Sequence, residues 1–80
     1  RSRDARGAFE NYEAAVARLT PLAERDPQAS YFLAGSLGNL AGVYEYLGEV
    51  QKARATHERA LAIYQQTRAA NPKNGGALQD

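Results

Sequence analysis

The sequence predicts an all-α chain of antiparallel helices built as a repeat. Three observations carry that expectation. Apolar residues recur at three- and four-residue steps in three separate stretches. Proline and glycine fall between those stretches, where helices must stop. The chain also resembles itself when displaced by 45 residues. Together they predict a fragment of an α-solenoid, of about three helices in helix-turn-helix order.

The first segment, residues 3–25, places Ala8, Tyr12, Ala15, Val16, Leu19 and Leu22 on one stripe. Pro21 lacks an amide hydrogen and crowds the preceding turn, so a kink or local break is expected near Ala17. Asp26-Pro27 ends the segment, because the residue before proline is pushed out of the helical region. The middle segment, residues 29–47, offers Leu37, Leu40, Ala41, Tyr44 and Leu47 to a core, and Gly48 is suited to a left-handed helix end. The third segment, residues 49–71, carries Val50, Ala53, His57, Ala60, Leu61 and Tyr64 as its stripe. Its opposite face holds Gln51, Arg54, Glu58 and Arg59, with Arg54 and Glu58 one turn apart. Asn71-Pro72 is the next break.

The displacement by 45 residues sets Ala8 on Ala53, Glu13 on Glu58, Ala15 on Ala60, Ala17 on Ala62, Pro27 on Pro72 and Leu33 on Leu78. Conservative matches accompany them: Asp4 with Glu49, Val16 with Leu61, Asp26 with Asn71. The first and third segments are therefore expected to be one structural element in successive repeats. On this reading residues 1–26 are the second helix of a preceding repeat, 29–72 one complete long repeat, and 73–80 the start of another. With no Met in the chain, a piece cut from a longer protein is expected.

Composition narrows the function. The hydrophobic share is 44%, but much of it is alanine, and the aromatics are five Tyr and two Phe. Large core formers are few, which suits an elongated stack better than a globule. Ten basic and nine acidic residues are scattered to a net charge of +1, so a nucleic-acid partner is not expected. Arg1, Arg3 and Arg6 read as a solvated helix start. There is no Cys for disulfides or thiolate metal sites, and no apolar run approaches the ~20 residues of a membrane span. No cofactor, metal or membrane partner is expected, and a cytoplasmic location is the default.

Catalytic material is sparse. His57 is the only histidine and lies on the apolar stripe, where a partly buried packing role is expected. No Ser-His-Asp set or metal-ligand spacing surrounds it. No catalytic residue is assigned. Gly35, Gly38 and Gly42 lie inside a helix, not ahead of its first turn, so they form no phosphate loop. Each costs roughly 1 kcal/mol relative to alanine. They share one side of the helical wheel, flanked by Asn39, Glu45 and Tyr46. Two readings stay open: a shallow channel for a close-lying segment, or a stripe on which another helix packs.

The stretch Leu37, Leu40, Ala41, Tyr44, Gly48, Ala53, Ala60 resembles the tetratricopeptide repeat signature. Its small residues lie where paired helices come closest, and its turn glycine ends the first helix without a Cβ penalty. His57 departs from the pattern, standing where the family usually has an aromatic ring. The third segment is about two turns longer than usual, and its extension over 62–71 resembles the long-repeat subgroup of kinesin light chains and bacterial signalling proteins. The resemblance implies a protein- or peptide-binding scaffold whose first helices line a groove, with Gly35, Gly38, Asn39, Gly42, Glu45 and Tyr46 facing it. A clamp for carboxylate tails is not implied, because glycine stands at positions 38 and 42 and Glu45 would repel the tail. The alternatives are a structural or oligomerisation segment associating through uncapped helix faces, and a regulatory array attached to a catalytic domain outside this chain.

Overall fold

Helix ends are set by side chains and turns that the sequence places at the breaks. A computed structural model describes residues 2–70, with side chains from residue 4 onward. Its three helices are α1 (Ser2–Ala23), α2 (Pro27–Tyr46) and α3 (Val50–Ala70). Asp26 caps α2: its backbone is extended, and its carboxylate accepts the Gln28 N–H at 3.0 Å. Pro27 takes the first helical position, where a missing N–H costs nothing. At the other end Gly48 adopts φ 81°, its N–H reaches the Glu45 carbonyl at 3.0 Å, and the Glu49 N–H reaches the Tyr44 carbonyl at 2.8 Å. That is the paired-bond ending that a left-handed residue allows. The Glu49 carbonyl then accepts from Ala53 at 2.9 Å and opens α3. Residues 24–26 and 47–49 are short connections, which make sequential helices antiparallel neighbours.

The expected break at Pro21 does not occur. α1 runs unbroken through Pro21 to Ala23. Proline removes only the amide bond to the Ala17 carbonyl, and Ala17 is exposed, so water can satisfy that oxygen. The end of α1 is also tied from its neighbour, because the Ser30 hydroxyl on α2 donates to the Ala23 carbonyl at 2.9 Å.

The core lies along α2. Ala29, Leu33, Ala34, Leu37, Leu40 and Ala41 are buried, with Ala34 and Ala41 both 0% exposed. Leu33 and Leu37 join Ala60 of α3 in one cluster, against which Val16, Leu19 and Ala23 of α1 and Ile63 of α3 pack. Tyr44 is half-buried and meets Phe9 edge-on, with ring centroids 5.7 Å apart. Leu47, expected in the core, is largely exposed at the turn.

α3 corrects the expected stripe. Ala53, Ala60 and Thr67 are buried, and Thr56 and Ile63 half-buried, so α3 turns this row of small and branched residues toward α2. Val50 is 71% exposed and Leu61 56%, and His57 and Tyr64 are exposed as well. His57 is thus not a buried packing residue. Two apolar rows run side by side on α3, about 90° apart at 100° per residue, and the smaller one lets the helices approach closely. Arg54 and Glu58 do not close to ion-pair distance. Among the described residues the one Lys or Arg ion pair is Lys52–Glu49 at 4.0 Å, and the His57 imidazole lies 3.4 Å from the Glu45 carboxylate.

Both α1 and α3 pack on α2, and they make no close backbone approach to each other. The arrangement is therefore open, unlike a closed three-helix bundle, in which first and third helices also meet. The radius of gyration is 13.7 Å and the long axis 42 Å, against about 12 Å for the gyration radius of a compact globule of this length. No described helix is long and apolar enough to cross a membrane.

Candidate functional site

α2 is buried on its leucine side and open on the other. The six groove candidates all lie on or beside that open side: Asn39, Gly42, Glu45 and Tyr46 are exposed, and Gly35 and Gly38 half-buried. An added Cβ at Gly38 or Gly42 would meet nothing within 4 Å, while one at Gly35 would come 3.9 Å from the Tyr64 hydroxyl, an ordinary contact. No described helix packs on Gly38 and Gly42. Of the two readings of the glycine stripe, the helix-packing one therefore has no support within the described residues.

Two shallow grooves flank this side of α2 and share Asn39. Toward α1, Gly42, Val43 and Tyr46 face Asp4, Ala5, Ala8 and Tyr12 across an open groove of about 380 Å³. Toward α3, Gly35 and Gly38 face His57, Leu61 and Tyr64 across one of about 450 Å³. The lack of side chains at the glycines leaves the floor low, and the tyrosines rise as walls. Tyr64 is steadied by Tyr31, with ring centroids 6.0 Å apart.

Glu45 turns toward α3, where its carboxylate lies 3.4 Å from the His57 imidazole. Both side chains are more than half exposed, so the pair adds little to stability. It links the last turn of α2 to the first half of α3 at the edge of the site. Among the described residues no group of three or more His, Cys, Asp or Glu is placed to hold a metal ion.

Phe32 was missed by the sequence reading. It is 59% exposed, and Tyr46 is 63% exposed. With Asn39 they stand at seven-residue steps, two helical turns apart, so one face of α2 presents aromatic, amide, aromatic in line. That spacing was available in the sequence. The leucines on the other side of the helix form the stronger periodic signal.

Comparison with family models, curated proteins and solved structures returns no match. The open face of α2 offers two exposed rings, one amide, bare backbone between them, and a carboxylate–imidazole pair at one edge. Such a surface is suited to lying along another chain. Aromatics supply area at small entropic cost, the amide can pair with a peptide group, and glycine permits close approach.

Proposed function

We propose that this chain is a helical-repeat interaction module that holds a peptide or protein segment against the open face of α2. One observation carries the proposal: an added Cβ at Gly38 or Gly42 would meet nothing within 4 Å, and at Gly35 only the Tyr64 hydroxyl. Glycine inside a helix costs roughly 1 kcal/mol at each position, and no packing within the described residues requires it here. A close-lying partner is a physical reason to keep the methyl groups away. The flanking Phe32, Asn39 and Tyr46 add the anchors that such a partner would use.

The open order of helices supports the repeat part of the proposal, since α1 and α3 both use α2 as neighbour and leave their own outer sides uncovered. The resemblance to tetratricopeptide repeats agrees with it, because there the first helix of each pair lines the binding groove. Here α2 would be that helix.

A displayed random-peptide library, selected on the wild-type chain, tests the proposal. Binders should lose at least about tenfold in affinity (about 1.4 kcal/mol) on the Gly38→Leu/Gly42→Leu double variant. That variant should remain folded, because an added Cβ at either glycine meets nothing within 4 Å and both positions border open grooves. Binders indifferent to it, or a library yielding none, would refute the site.

A further inference from the structure

The two grooves beside α2 lack the cations that the chain carries elsewhere. Ten of its residues are Lys or Arg, yet among the described residues none lines either groove. α2 itself holds a single charged residue, Glu45. Toward α3 the His57 imidazole is set against the Glu45 carboxylate at 3.4 Å, so neither protonation state of His57 leaves a net positive charge there. Toward α1 the one formal charge is the Asp4 carboxylate, which is exposed and makes no ion pair among the described residues. The face is therefore complementary to a cation and would repel a carboxylate.

The groove toward α1 adds shape to that charge. Tyr12 of α1 and Tyr46 of α2 both line its open volume of about 380 Å³, and Gly42 leaves the floor low. An arginine or lysine side chain needs such a setting. Its methylene stem lies along apolar surface, its charged head is drawn to ring faces within about 6 Å of the centroid, and a carboxylate completes the pairing. The chain already uses this pairing once, with the Lys52 ammonium 5.9 Å from the Tyr44 ring centroid. The Asn39 amide and the hydroxyls of Tyr12 and Tyr46 make no hydrogen bond among the described residues, which leaves acceptors for the N–H groups of the head. A carboxylate in the first turn of α1 also suits the helix dipole, but that role requires neither tyrosine nor the low floor.

We propose that the groove between Asp4, Tyr12 and Tyr46 receives an arginine or lysine side chain of the segment held on α2. The inference rests on the peptide-binding reading of this face and names the side chain that the α1 side would take. The full 80-residue chain, labelled in its tyrosine rings, is titrated with N-acetyl-arginine amide and, separately, with the neutral isostere N-acetyl-citrulline amide. Ring signals of Tyr12 and Tyr46 should shift saturably with the arginine probe while Tyr31 stays in place, and the citrulline probe should move none of them. Asp4→Asn, at an exposed position, should weaken arginine binding about threefold, the effect of one exposed ion pair. No saturable shift, an equal response to citrulline, or an unchanged affinity in Asp4→Asn would each overturn the cation pocket. Library peptides that lose affinity on the glycine double variant but bind Asp4→Asn as well as wild type would also overturn it, and would leave the peptide reading standing. Arginine binding with no library binders would remove the peptide reading alone.

Discussion

Alanine does most of the spacing in this protein. Ala34 and Ala41 are fully buried on α2, and Ala53 and Ala60 nearly so on α3, and only a side chain this small lets the two helices approach while Leu33 and Leu37 fill the space beside them. The physical limit is steric, since a well-packed site cannot take extra methylenes without moving backbone. Ala41→Leu should therefore lower stability by about 1–3 kcal/mol in denaturant unfolding. Ala55→Leu, on an exposed position of α3, should change it by less than about 0.5 kcal/mol. Equal unfolding midpoints for the two variants would remove the basis for this packing. At this scale the sequence was legible: Leu37, Leu40 and Ala41 on α2, and Ala53 and Ala60 on α3, were all expected inside, because within each helix they fall on one side. His57 was not legible, because a residue between two apolar rows can face either way.

At the scale of the element, α2 is a helix of two opposite characters. Its leucine face is sealed by neighbours, and its glycine face is bare. The helix is held at both ends, by the Asp26 cap and by the Gly48 turn, and these fixed ends help it carry three poor helix formers in its middle. Where Gly38 and Gly42 meet nothing, replacing both with alanine should stabilise the isolated chain by roughly 0.5–1 kcal/mol per site, since only backbone entropy changes. Chemical denaturation of the double variant gives the answer by its sign. A loss of stability would mean that something in solution packs on the stripe. α3 shows why pattern alone was insufficient for an element: its two adjacent rows merge into one broad stripe on a wheel, and only the neighbour's shape selects the smaller.

For the whole molecule, the open order of helices sets the energetics. The central cluster needs α1 on one side and α3 on the other, with no close backbone approach between those two to compensate for a missing partner. A chain of residues 27–80, lacking α1, should lose the cover that Val16, Leu19 and Ala23 give to Leu33 and Leu37. Each exposed leucine forfeits about 1.5–3 kcal/mol, comparable with the whole stability available to so small a domain. Circular dichroism should show that the shortened chain has lost its cooperative thermal transition. A sharp transition near the Tm of the full chain would show that α2 and α3 suffice as a unit.

By itself the sequence determined that the chain is helical, where its helices end, and which side of α2 is buried, because these depend on local chemistry: proline and glycine at fixed places, a capping carboxylate, and leucines at helical steps. The 45-residue register is likewise a property of the string of residues. Tertiary structure decided which of two neighbouring rows α3 turns inward, that Pro21 leaves α1 unbroken, and that the glycine stripe faces open space. Each of those outcomes depends on what lies across the gap: the close fit of small residues, the exposure of a single freed carbonyl, or the absence of any described side chain over Gly38 and Gly42. A helical period records which residues share a side. Only the placement of the neighbouring helices determines which side is covered.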